Sequence, residues 1–405
     1  MKNYKMAYRN LWRNRRRTLI TVASIFFGVL MSTIMSSMQE GSYSNMIDNV
    51  VKFYSGYIQI HEEDYWENKT LYYSFDVNDS LLDLIVSTDG VVSYTPRLES
   101  FALASSDDIT QSTLVVGVDP EKEDALTNLS KWVESGEYFG SNHNSIMLAK
   151  KLAENLGVSL GDTIALLSQG YYGNTVAAEF VVKGILNFPN PQLNKSYAYM
   201  NLQRAQEFYS AENKLTSLSL MVNGYKDVKP VITELRAKLK PPYSAMSWDE
   251  MQPELVQMIE GDRAGGVIMK AILYMIIAFG ILGTIMMMIA ERRKELGLMV
   301  AVGMQKHKLA GILFYETLFM GIMGVLAGII ASIPIIIYIM HNPIPITGDA
   351  AKAMLDMGIE PLLIFSAPPR VFLNQMIIIL ILTLIISIYP LINVSKLNVI
   401  KYLRD

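Results

Sequence analysis

The segment Glu291-Arg-Arg-Lys-Glu-Leu-Gly-Leu-Met-Val-Ala-Val-Gly-Met-Gln-Lys-His-Lys308 carries the strongest local signal in this 405-residue chain. Its chemistry is recognition. Leu296, Met299, Val300 and Gly303 or Met304 recur at i, i+3, i+4, i+7 and i+8, so they share one face of a helix. Glu295 and the basic residues cover the opposite side and the flanks. Such a helix either lies at a lipid interface, held by its cations, or inserts its apolar face into a partner.

Little else offers reactive chemistry. The chain has no cysteine, which removes disulfides and thiolate ligands. Its four histidines, His61, His143, His307 and His341, are scattered, so no metal site is expected. No carboxylate spacing singles out an acid/base pair, and Asp107-Asp108 reads as a solvated turn. A Gly-x-x-x-x-Gly-Lys-Ser/Thr phosphate cradle is missing, so neither a nucleotide site nor any other cofactor is expected in this chain.

The elements that position the 291–308 segment are long and apolar. Residues 18–38, 271–290, 317–340 and 371–395 contain no Asp, Glu, Lys or Arg. Each is long enough to cross a bilayer, which takes about 20 apolar residues. The first run is longer than a signal-peptide core and lacks a good cleavage site, so it reads as an uncleaved helix. Composition agrees: the chain is 51% hydrophobic, with mean hydropathy +0.25. The expected fold is an integral membrane protein of four helices, one before and three after a large inserted α+β domain.

Net charge is only -3, but the charges are segregated. Segments 1–17, 291–308 and 396–405 together hold 15 Lys/Arg and 3 Asp/Glu, whereas 39–270 holds 18 and 31. Short basic loops mark the cytoplasmic side. Both termini and the 291–308 segment are therefore expected inside and the inserted domain outside. Arg13-Asn14-Arg15-Arg16-Arg17 reads as a topology signal, and no nucleic-acid partner is expected. The expected division is a basic segment (1–17), a span (18–38), an outer domain of two lobes (39–265), a span (266–290), an inner helix (291–308), a span (309–340), an outer loop (341–370), a span (371–395) and an inner tail (396–405).

Within the outer domain, 39–55 reads as a helical stalk and 145–156 as a helix ended by Gly157. Ser247-Trp-Asp-Glu250 resembles a capping box opening a helix toward the second span. One lobe is drawn from 45–115 and 190–260, the other from 120–185. In the third span, Gly321, Gly324 and Gly328 mark a close seam, within the bundle or between copies, or the general glycine enrichment of membrane helices. Glu316 is expected to pair with Arg292 or Arg293 in a structural role.

Several motifs, in this order, resemble the MacB/FtsX-type ABC permease family. They are Ala7-Tyr-Arg-Asn-Leu-Trp-Arg-Asn14, Val116-Gly-Val-Asp-Pro-Glu121, Ile146-Met-Leu-Ala-Lys-Lys-Leu-Ala153, Leu156-Gly-Val-Ser-Leu-Gly-Asp-Thr-Ile164, Glu291 to Leu298, Ala301-Val-Gly-Met304 and Phe314-Tyr-Glu-Thr-Leu318. The closing Leu397-Asn-Val-Ile-Lys-Tyr-Leu-Arg404 is similar to the family's ending, with Val399 where Pro is usual. The resemblance implies a MacB-like periplasmic core domain, an FtsX-like permease domain over 266–398, and location in a bacterial inner membrane. It implies a non-catalytic permease in a homodimer or related heterodimer, working with a separate cytosolic ATPase that binds ATP and Mg²⁺. Glu295, Leu296, Met299, Val300, Gly303 and Met304 would form the coupling contact with that ATPase. Within the family, the separate ATPase and Ser55-Gly-Tyr-Ile-Gln-Ile-His61 favour the lipoprotein-releasing (LolC/LolE-type) branch, in which lipoproteins pass to a periplasmic carrier. The alternatives are MacB-like export of amphipathic compounds or peptides through an outer-membrane duct, and mechanical signalling to a cell-wall hydrolase. A stand-alone receptor would leave 291–308 unexplained.

Overall fold

The computed structural model describes residues 3–13, 15–107, 109–139, 144–356 and 361–395. Asp108, His143 and the closing motif 397–404 lie outside the described residues. The chain forms two compact units. One, here the helical unit, comprises the chain up to Tyr43, Met258–Ile344 and the part from Leu363 onward; the other, the sheet unit, comprises Ser44–Gln257 and Pro345–Leu362.

Among the described residues, four stretches are long and apolar enough to cross a membrane: Arg15–Val50, Pro253–Glu291, Lys306–His341 and Pro369–Val394. The helices that build the helical unit are α1 (Asn3–Arg13), α2 (Arg15–Val50), α3 (Pro253–Glu291), α4 (Arg293–Ala301), α5 (Lys306–His341), α6 (Pro369–Ile386) and α7 (Ile388–Ser395). The residues of the expected stalk form the C-terminal end of α2, followed by a single π-helical turn, Val51–Ser55. The capping box is present at Ser247 and Glu250, but that helix stops at Gln252 and α3 begins afresh at Pro253.

In the helical unit, Ile25, Val29, Ile281, Ile285, Leu313 and Ile379 form a buried core. Outward-facing positions are also apolar, among them Ile272, Ile276, Phe279, Ile330 and Ile381. Apolar surface so extensive is untenable in water and natural in lipid. Gly324 and Gly328 of α5 face α2, where an added Cβ would lie 2.6 Å from Ile25 Cβ and 2.8 Å from Val29 Cβ. At Gly321 it would lie 2.5 Å from the Thr383 methyl of α6. All three glycines are buried within the chain, at seams of its own bundle. Inside this bundle Gln375 donates to Ser36 Oγ at 2.9 Å and accepts from Tyr274 Oη at 2.6 Å, which ties α2, α3 and α6 together.

The sheet unit is built on β1 (Ile58–Glu62), β2 (Val91–Ser106), β3 (Ile109–Val118), β4 (Val133–Gly136), β5 (Ser145–Ala149), β6 (Thr163–Gln169), β7 (Thr175–Leu186), β8 (Tyr197–Asn201), β9 (Ser217–Val222) and β10 (Tyr243–Ser247). They join in the order β10-β1-β9-β2-β3-β8-β5-β7-β4, and β6 pairs with both β2 and β7. Strands from both expected lobes therefore hydrogen-bond into one sheet. The helix expected over 145–156 is instead β5 followed by a short helix, Lys150–Leu156. Ile146-Met-Leu-Ala149 is buried on both faces between β7 and β8, and such a run has no alternation to separate strand from helix.

Replacing Gly328 with Val should lower the detergent-solubilised unfolding free energy by about 1–3 kcal/mol, the usual cost of overpacking. Gly283→Val is the control, because a Cβ at Gly283 meets nothing within 4 Å. Equal unfolding midpoints for the two variants would remove the glycine seam.

Candidate functional site

Between α3 and α5 the chain makes a sharp corner. Arg292 breaks the helix with φ -98° and ψ 13°, α4 follows, and Gly303 closes it at φ +101°. Gly303 N donates to Val300 O at 3.0 Å and Met304 N to Met299 O at 3.0 Å. These two bonds form a Schellman stop, which favours glycine at the left-handed position. Gly303 was expected at a partner contact; here it also shapes the turn.

The apolar stripe read from the sequence faces inward. Leu296 is 1% exposed, and Met299, Val300 and Met304 are half-buried against the same helical core. The segment is anchored by its own chain, which claims the best apolar positions. What remains outside is a second apolar pair, Leu298 at 57% and Val302 at 80% exposure, with Gly303 and Glu295 also exposed. A cleft of about 640 Å³ lies there, lined by Leu298, Met299, Val302, Gly303, Met304, Gln305 and Lys308. Sequence periodicity missed Leu298 and Val302 because a helix packed on its own bundle presents the off-stripe side to the outside.

An ionic network holds the corner. Arg292 Nη1 donates to Glu316 Oε2 at 3.0 Å and to Oε1 at 3.3 Å, and both side chains are buried. Of the two candidate partners for Glu316, the structure selects Arg292. Asn10 Nδ2 donates to Glu316 Oε1 at 2.6 Å, bringing in α1. Glu295 accepts from Arg13 Nη2 at 2.9 Å and from Arg292 Nε at 3.3 Å, and Arg17 pairs with Glu291. Arg13/Arg17 and Glu291/Glu295 are each four residues apart, so two one-turn spacings meet across the corner. That match was present in the sequence, but nothing in the sequence placed the two segments side by side.

Among the described residues no cluster of His, Asp and Glu could hold a metal ion. His61 is buried and its Nδ1 lies 2.8 Å from Glu62 O, while His307 and His341 are exposed on α5. The arrangement is suited to holding a corner rigid and presenting a small apolar surface.

Breaking the buried pair by Arg292→Met should cost about 3–5 kcal/mol, because Glu316 is left without its cation. The double variant Arg292→Met, Glu316→Leu should recover most of that loss. Thermal unfolding of the three proteins in detergent decides it; a double variant no more stable than Arg292→Met would mean that the two charges do not act as a pair.

A family profile described as the MacB-like periplasmic core domain matches residues 18–238, and one described as the FtsX-like permease C-terminal domain matches residues 267–399. The lipoprotein-releasing system transmembrane protein LolC of Xylella fastidiosa is 20% identical over 62% of this chain and 62% of its own. LolE of Haemophilus influenzae is 22% identical over 59% of each chain. An uncharacterised ABC transporter permease of Methanocaldococcus jannaschii is 21% identical over 81% of this chain and 82% of its own. The chain thus spans less than two thirds of the LolC and LolE relatives. Among solved structures, the extracellular domain of the transporter YknZ from Gram-positive bacteria covers 47% of this chain at 17% identity and TM-score 0.33, matching over 99% of its own length. The periplasmic region of MacB from Actinobacillus actinomycetemcomitans covers 53% at 12% identity and TM-score 0.35, matching over 97% of its own length. With one profile matching more than half of the chain and the other most of the remainder, this protein belongs to the MacB/FtsX family of ABC-transporter permeases.

Proposed function

We propose that this permease converts the nucleotide cycle of a separate cytosolic ATPase into movement of its outer domain. The observation that carries this reading is the corner at 291–308. It exposes Leu298 and Val302 beside a cleft, joins two membrane-length helices directly, and is braced by Arg292 on Glu316. A partner pressing there moves α3 and α5 together. In this reading the four helices span the membrane in a one-plus-three order, with both termini and the corner cytoplasmic. The segregation of basic residues supports that orientation. ATP and Mg²⁺ belong to the ATPase, and this chain is not itself an enzyme. A second permease, identical or related, completes the assembly.

The cargo reading is extraction of lipoproteins from the inner membrane for outer-membrane sorting, with a periplasmic carrier downstream. It is supported by similarity to LolC and LolE. Export of amphipathic compounds or peptides is the second reading, favoured by the MacB-like profile over 18–238.

The docking surface shifts from the sequence-derived stripe to its outward neighbours. Leu298→Asp with Val302→Asp should reduce permease-stimulated ATPase activity at least about tenfold, equivalent to about 1.4 kcal/mol of lost contact energy. Membrane insertion and the unfolding midpoint should stay unchanged, since neither side chain is packed. Co-purification from mild detergent with mass spectrometry gives the complementary readout. Full stimulation and a stoichiometric ATPase in the double variant would place docking elsewhere.

A further inference from the structure

The far end of α2 is fastened to the sheet by side-chain bonds from Tyr57 to Asp48 at 2.7 Å and from Gln59 to the Ser55 carbonyl at 2.9 Å, and by one buried cation. Helix α2 reaches Val50, passes into the π turn Val51–Ser55 and leaves at Gly56 with φ +69°. Arg97, on the central strand β2, is completely buried, and its Nη1 donates to the backbone oxygen of Tyr54 in that turn at 2.5 Å. The other side of the guanidinium is gripped by Glu123, with Nε to Oε2 at 3.0 Å and Nη2 to Oε1 at 2.7 Å. Glu99 adds a second carboxylate, Oε1 lying 3.8 Å from Nη1. The Tyr54 ring sits 4.9 Å from the guanidinium carbon. Burial disfavours the charge on Arg97, but Glu123 and Glu99 outweigh it and raise its pKa.

Fold stability is a poor account of this cluster. A buried ion pair can usually be replaced by apolar residues of similar volume at no loss, and often with a gain. What an apolar residue cannot do is bond directionally to a carbonyl at the end of a helix. Isolated π turns also occur preferentially at functional positions. We infer that Arg97 is the joint that makes the stalk end of α2 and the sheet one mechanical body. This rests on the reading of the chain as a transmitter of a nucleotide-driven movement. Arg97 is a positioning residue here: it touches no cargo and acts through Tyr54. The fork geometry matters as well as the charge, since two donors are taken by Glu123 while a third reaches Tyr54.

The test uses the full chain with its ATPase in lipid nanodiscs. The chain has no cysteine, so Asn45→Cys on α2 and Ser159→Cys in the sheet unit take spin labels specifically. Labelled chains are diluted with unlabelled ones, so that only distances within one chain are read. The variant is Arg97→Met with Glu123→Leu and Glu99→Gln, which removes the grip and leaves no buried unpaired cation. It should melt no lower than the parent. Its label-distance distribution should broaden about twofold, as a freed joint samples several positions. Hydrogen exchange over 57–247 should lose its response to vanadate-trapped ATP, while ATP hydrolysis continues. A distribution as narrow as the parent's overturns the joint. If the triple variant melts below the assay temperature, Arg97→Lys, which keeps the charge and loses the fork, is read by the same two measurements. The distance arm needs no nucleotide. A parent protein whose exchange ignores trapped ATP therefore overturns the transmission reading, whatever the labels show.

Discussion

Glu316 is the only charged residue of α5 between Lys308 and His341, and it is 1% exposed. A carboxylate so placed has no water to turn to, so it must be balanced within the protein. Arg292 supplies the balance, and its position fixes the corner between α3 and α5. Asn10 completes the shell and draws α1 onto the same point. Glu295 is then held between Arg292 and Arg13, so the orientation of α4 follows from the pairing beneath it. The exposed pair Leu298 and Val302 is a consequence: with Leu296 committed inward, the opposite side of a two-turn helix has nowhere else to point.

The same economy appears at the other end of α2. There too a buried arginine is held by carboxylates and spends one donor on something that an apolar residue could not replace, the backbone of Tyr54. The two arginines differ in how deeply their partners are buried. Arg292 bonds one buried carboxylate and one exposed one, whereas Arg97 sits among two buried carboxylates. Between these points α2 packs through Ile25 and Val29 on the glycines of α5, a contact close enough to limit sliding of one helix past the other.

The family profiles establish the family, and relatives at about 20% identity leave its chemistry open. The relatives bear names from lipoprotein release and from an uncharacterised permease, and residues 18–238 match a MacB-like profile.

The apolar runs, the α+β domain and the helix within 291–308 were legible in the sequence because hydropathy and charge are local quantities, summed over a window of residues. The stalk at 39–55 and the capping box at Ser247 were legible for the same reason. The strand at 145–149 was not, because a run buried on both faces carries no period. Nor was the direction in which Leu296 points: periodicity shows that a helix has an apolar face, but not whether its own bundle or a partner covers that face. The choice of Arg292 over Arg293 for Glu316, the meeting of Arg13 and Arg17 with Glu295 and Glu291, and the grip of Arg97 on Tyr54 join residues between 24 and 282 positions apart. Such pairings exist only once packing has brought distant segments side by side, which is why only the tertiary structure decided them.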